Sequence, residues 1–294
     1  MQAINDYVST LEIINSQTFN NLTVNVVRGR DYSNLNIRSF ADAIADNSLR
    51  IREVGDNGNV PELLFRNDDI YPVFVSEGSI IEGLRQNRTV RTSFVIEPHA
   101  ELVVPVYCVE HGRWVENSKM GRKSAYHLDT RSRVLNLRKS DQGEMWDNIS
   151  DRMSGTGTKS RTGYVGDIYE HSRKNIEAYQ RAFICPDHAV GFVAQIDGQV
   201  VALDVFANNN LMVGNFHPLL AGLCLDSTDR EYRRLLSTKK GLTVREFLKA
   251  IEDAPKEKHD GIGQGHIIQF ESKLLIGNAL DFENKFIHME AFAV

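Results

Sequence analysis

The chain has 294 residues, of which 41% are hydrophobic and 25% charged, with a formal net charge of -5. That length can bury a sizeable core, and the mildly acidic balance argues against bulk attraction to nucleic acid or an anionic membrane surface. No apolar run approaches the ~20 residues of a membrane-spanning helix.

Residues 1–19 show no basic start followed by an apolar stretch, so no secretory signal is read there; they look polar and peripheral. Leu22 to Arg28 is strand-like. Ser39 to Asn47 reads as a short helix with Ser39 as N-cap and Phe40, Ala43 and Ile44 on one face. Leu49 to Val54 alternates apolar and polar residues, the pattern of a half-buried strand. After a turn at Asp56-Asn57-Gly58-Asn59 come four strand candidates: Glu62–Asn67, Tyr71–Ser76, Thr89–Ile96 and Glu101–Val109. Short strands in such close succession predict an antiparallel sheet, sandwich or partial barrel.

The window from Lys119 to Lys139 is basic, with Asp129 as its single acid. It reads as a solvated loop or a mobile lid that brings cations to an anion. Ser140 is the expected N-cap of the next helix, whose Trp146 and Ile149 face inward. Ser154 to Gly163 looks like a flexible basic loop, and Asp167 to Phe183 like one helix. Ala189–Ile196 and Gln199–Phe206 flank Asp197-Gly198, a pair suited to a type I′ hairpin turn. Two helices follow, the second opened by a capping box from Thr243 to Glu246. His266–Glu271, Leu274–Leu280 and Phe286–Phe292 read as closing strands.

The expected fold is therefore α+β and composite over residues 1–294, without an internal repeat. A β-rich antiparallel part covers residues 20–115, a basic loop and short helix 116–163, and an α/β part with closing hairpins 164–294. Cys108, Cys185 and Cys224 stand far apart without a CxxC, which favours a reducing cytoplasm over a disulfide framework or thiolate zinc site. The histidines at 188, 217, 259, 266 and 288 show no HxH, HExxH or HxxxH spacing, so no metal site is expected. No cofactor is expected either: GIGQG (261–265) lacks the pattern and context of a dinucleotide fingerprint.

Two polar clusters stand out, Glu82 to Arg88 and Glu110 to Trp114. The second of two antiparallel strands returns the chain to where the first began, which brings the clusters to one end of a sheet. Arg85, Gln86, Asn87 and Arg88 form a dense donor array suited to phosphate or carboxylate. Arg113 adds a cation and Trp114 a stacking surface for a base. Glu110, Glu82 and His111 are the candidate acid–base groups. Asp141 and Gln142 sit at a helix start, where backbone N–H groups attract anions. The plainer reading of the first cluster is a solvated turn whose charges pair with one another; that of the second is a structural or exposed His111 and a Trp114 that anchors the core.

Three stretches, GLRQNR (83–88), PVYCVEHGRW (105–114) and RKSDQGEMWDNI (138–149), together resemble the ADP-ribosylglycohydrolase and rhodanese-phosphatase associated protein family. The resemblance runs on through VGFVAQIDGQVVALDVF (190–206) and the strands near Ala279 and Phe292. Its motif positions here are Gly83, Arg85, Gln86, Asn87, Arg88, Cys108, Glu110, Gly112, Arg113, Trp114, Asp141, Gln142 and Trp146. Relatives carry an acid after the glycine equivalent to Gly78, where this chain has Ser79 and Ile80, a departure that weakens an enzymatic reading.

The family's association implies a ligand related to ADP-ribose, NAD or a cyclic nucleotide signal. The leading expectation is thus sensing or sequestration of a phosphorylated nucleotide, with no nucleic acid or membrane partner, in a chain that could form a homodimer. One alternative is a hydrolase of the same ligands that uses Glu110 or Glu82 with His111. The other is a protein-interaction regulator of an ADP-ribose enzyme, with the 119–139 segment as partner surface.

Overall fold

A computed structural model describes residues 2–32, 34–238 and 241–294. Helices and large antiparallel sheets make it an α+β fold, as the patterning predicts. The largest sheet has eight strands in the order Glu12–Phe19, Leu22–Arg28, Gly191–Ile196, Gln199–Phe206, Lys285–Ala293, Leu275–Phe282, His266–Glu271 and Lys256–Asp260. Every neighbouring pair in it is antiparallel. The two ends of the chain therefore meet in one sheet, and its β content is not confined to the first half.

The hairpin at the centre of this sheet follows from its turn. Asp197 and Gly198 both take positive φ (50° and 80°), the geometry that a type I′ turn demands and that glycine adopts without a Cβ penalty. Helix Asn209–Thr228 is apolar nearly all round and accordingly buried. It touches strands of the large sheet and also Arg38–Ser39 and Arg122–His127. The opposite face of the large sheet is covered by helices Gln2–Val8 and Val244–Asp253, which bring Ile4, Tyr7, Phe247 and Ile251 into a second core. The described part of this segment is thus not peripheral: Ile4, Tyr7 and Val8 supply a buried helix face and Glu12–Phe19 an edge strand.

A six-stranded sheet runs Arg122–His127, Ser79–Glu82, Arg88–Val90, Glu101–Cys108, Glu62–Asn67, Leu49–Glu53. Beside it, Val73–Val75 pairs parallel with Arg38–Ser39 and antiparallel with Phe94–Ile96. The basic window is not a loop but strand Arg122–His127 followed by helix Thr130–Leu137. Asp129 caps that helix by accepting the Ser132 N–H at 3.0 Å, which is why the lone acid sits there.

Some boundaries differ from the pattern reading. Asp167–Phe183 is two helices, Gly166–His171 and Arg173–Ala182, and three helices rather than two follow the central hairpin. Helix Gln142–Thr156 takes Asp141, not Ser140, as its N-cap; the carboxylate accepts the Glu144 N–H at 2.9 Å. Replacing Asp141 by alanine should cost about 0.5–2 kcal/mol of stability. Ser140→Ala should cost nothing measurable, because Ser140 contributes backbone groups that alanine keeps: its N–H donates to the Leu135 carbonyl and its carbonyl accepts from Tyr107. Urea unfolding of both variants checks the assignment.

Candidate functional site

The two polar clusters do meet. Cys108 lies opposite Arg88 in the strand register, so the chain leaving one strand passes the chain entering the other. Glu110 then accepts the Asn87 N–H (3.0 Å), the Thr162 hydroxyl (2.8 Å) and the Arg113 guanidinium (2.9 Å from Nε). Burial alone would raise its carboxyl, but these donors outweigh it and hold the group below its ordinary value. A carboxylate so thoroughly satisfied is a poor proton acceptor.

Arg113 is equally occupied. Its NH1 and NH2 donate to the carbonyls of Leu84, Val115 and Gly83 and to Asn87 Oδ1. These bonds lock the turn at Gly83, where φ is +96° and a Cβ would lie 2.3 Å from Ser118 Oγ, so only glycine fits without strain. Gln86 donates to the Glu110 carbonyl and accepts from the Cys108 thiol at 2.7 Å. Burial pushes that thiol up to about 11, which keeps it protonated and able to donate. Arg88 is fully buried; it donates to the carbonyls of Val60 and Gln86 and has Glu53 at 3.7 Å. Arg85 donates to the Asp56 carbonyl. Most of the expected donor array is thus spent on bonds within the fold.

The remaining candidates divide. Glu82 accepts from Ser124 and from Tyr164, both at 2.8 Å. The exposed ring of His111 lies edge-on to Trp146, 4.3 Å between centroids. Gln142 bridges to the strand Glu101–Cys108, accepting the Cys108 N–H and donating to its carbonyl. Asp141 is the helix cap already described. Neither Asp141 nor Gln142 lines the cavity beside the clusters.

That cavity, about 550 Å³, is bounded by residues 112–117 and by Arg161 and Thr162. Trp114 is 40% exposed there and lies with its ring 5.2 Å from the Arg88 guanidinium carbon. Sequence reading missed Arg161 and Thr162, because SGTGTKSRTG looks unstructured. It is fastened instead: Gly112 N–H donates to the Thr162 carbonyl at 2.7 Å, and Tyr164 N–H to Ser160 Oγ at 3.1 Å.

A second polar assembly was not anticipated at all. Arg133 is buried and meets three buried carboxylates: Asp204 at 2.9 and 2.8 Å, Glu290 at 2.7 Å and Glu77 at 3.0 Å. Asn136 also donates to Glu77, and His288 stands between Ser93 (3.2 Å) and Asp204 (3.3 Å). Glu77 and Glu290 hydrogen-bond to each other, and burial raises both. Asp204 runs the other way: burial opposes its charge, yet Arg133 and His288 hold it at about 2. Burial lowers His288, leaving it neutral.

Donor atoms of Asp204, His288 and Glu290 lie within 4.8 Å of one another, close enough to share a metal ion. The Arg133 guanidinium already fills the cationic position beside both carboxylates, and a metal would meet its charge. A similar buried knot joins Arg152 to Asp129 (2.9 Å) and Asp226. Burial pushes Asp226 up to about 6 against the pull of Arg152.

Among the described residues no helix is long and apolar enough to cross a membrane. No curated protein and no solved structure matches the chain. The domain profile named for the ARG and Rhodanese-Phosphatase-superfamily-associated Protein matches residues 10–292. The chain therefore belongs to that family, ARPP-1, over nearly its whole length.

Proposed function

We propose that the protein binds a phosphorylated nucleotide, of the ADP-ribose, NAD-derived or cyclic nucleotide type, in the cavity beside Trp114. The observation that carries this is the exposed Trp114 ring on an open cavity of about 550 Å³ with Arg161 on its wall. A volume in this range suits a nucleotide-sized ligand. The indole offers a stacking face for the base and Arg161 a cation for phosphate. Arg113, Asn87 and Gln86 act one step back, by holding the loop that carries Trp114.

Binding without turnover is favoured over hydrolysis by the state of Glu110. Its donors are Arg113, Thr162 and the Asn87 N–H, which leaves it little basicity to activate water. The test is a thermal-shift series with ADP-ribose, NAD and cyclic ADP-ribose, followed by recovery of the ligand. At ~100 times its dissociation constant the ligand should add about 2.7 kcal/mol of apparent stability and come back unaltered. Trp114→Ala and Arg161→Ala should each weaken affinity by about tenfold or more, as loss of one stacking or charged contact does. No shift with any of these ligands would sink the proposal, and an altered ligand would replace binding by hydrolysis.

A further inference from the structure

The buried acids are the inner end of a polar row that crosses the large sheet. Direct cross-strand partners run Asp204–Glu290, Glu290–Asn278, Asn278–Gln269 and Gln269–Glu257. Directly opposite residues put their side chains on the same face, with Cβ atoms about 4.5–5.5 Å apart. Beside the row this face carries Ala202, Phe206, Ile276, Leu280 and Phe292 of the main core, with His288 next to Glu290 and Glu271 next to Gln269 as further polar members. Five consecutive polar side chains in register across such a face are not explained by packing.

The outer part of the row opens into a cavity of about 300 Å³ lined by Asn278, Gln269 and Glu257, with Glu271 beside them and Leu137 and Ile276 as apolar flank. Asn278 is only 8% exposed. Among the described residues neither its amide nor that of Gln269 makes a side-chain hydrogen bond. A nine-tenths-buried amide facing a cavity without a partner is an incomplete site, since buried polar groups are otherwise bonded. The electrostatics give its sign. Lys256, the cation on the wall, donates to the carbonyls of Ile251, Glu252 and Ala254 at 2.7–3.1 Å. Glu257 and Glu271 stand at the mouth, with His259 3.7 Å from Glu257.

We propose that this cavity binds a small organic cation, an alkylammonium or alkylguanidinium. Asn278 and Gln269 present carbonyl oxygens to its N–H groups, Glu257 and Glu271 supply the charge, and Leu137 and Ile276 receive its methylenes. The site is separate from the Trp114 cavity, so it stands or falls independently of nucleotide binding.

Calorimetric titration of the full chain with agmatine, which carries both cation types, tests it, with 1,4-butanediol as the neutral comparison. Agmatine should bind saturably at one site and butanediol should not. Glu257→Gln/Glu271→Gln alters exposed residues only and should weaken agmatine about tenfold, the scale of removing two partly screened charges. Asn278→Leu should abolish the binding. The idea is overturned if agmatine gives no saturable heat, if butanediol binds equally well, or if the paired glutamine variant binds agmatine as the parent does.

Discussion

Arg133→Met is expected to lower stability by about 3–5 kcal/mol, the scale of removing one partner from a buried ion cluster. Methionine fills a similar volume and can keep a contact with Phe292, over which the guanidinium lies at 4.7 Å. The loss is therefore electrostatic, not a matter of packing. Three carboxylates from separate parts of the chain converge on this one cation: Glu77 just before strand Ser79–Glu82, Asp204 and Glu290 on the large sheet. Without it their charges face one another in a site closed to water, where repulsion is poorly screened. Lysine is no substitute, because a single ammonium cannot meet Asp204 through two parallel bonds while also reaching both glutamates.

The check is urea unfolding, with the midpoint falling and the slope unchanged. Adding Glu290→Gln to the methionine variant should restore part of the loss, since it removes one of the mutually repelling charges. A cost below about 1 kcal/mol for Arg133→Met, typical of an exposed pair, would overturn this account of the cluster.

Local chemistry was legible wherever the signal is local. Ser39 caps its helix, Thr243 and Glu246 form their capping box, and Asp197-Gly198 turns its hairpin, because caps and turns depend on a few adjacent residues. The meeting of the 82–88 and 110–114 clusters was legible for the same reason, as one antiparallel return. What the side chains do there was not. A run of Arg, Gln, Asn and Arg looks identical whether its donors face a ligand or the carbonyls of Leu84, Gly83, Val60 and Gln86.

The buried acids escaped reading because their partners are up to 157 positions apart. A faint signal was present. Glu77 in VFVSEGSII, Asp204 in VVALDVF and Glu290 in FIHMEAF are each a lone acid inside an apolar run. An acid in a strand with no polar face must find a partner. Arg133 hid in a basic window that resembled a solvated lid, although Ser132, Arg133, Asn136 and Leu137 lie at helical spacing and pack inward. The polar row could not be seen without register, since Asn278 and Gln269 are unremarkable until Glu290 and Glu257 stand beside them.

Glu290→Gln should make the protein more stable than the parent, by a margin that grows with pH. Three carboxylates around one guanidinium and a neutral His288 leave excess negative charge in a dry site. Glu77 and Glu290 relieve it by sharing a proton, and one Glu290 oxygen, buried and otherwise without a partner, is the atom that can carry it. The resulting titration belongs to the pair and not to either residue. The folded protein holds this proton, whereas the unfolded chain releases it near the ordinary glutamate value of about 4.3. The contribution to folding is therefore complete at acidic pH and declines as pH rises through the elevated folded value. Glutamine mimics the protonated form: its amide can donate to Glu77 while its oxygen accepts from Arg133. Unfolding free energies of parent and variant, measured from pH 4 to pH 8, should coincide at the acidic end. They should then diverge in the variant's favour with a slope approaching about 1.4 kcal/mol per pH unit for one retained proton. Parallel curves across that range would mean that Glu290 is ionised in the fold and that Arg133 alone balances the cluster.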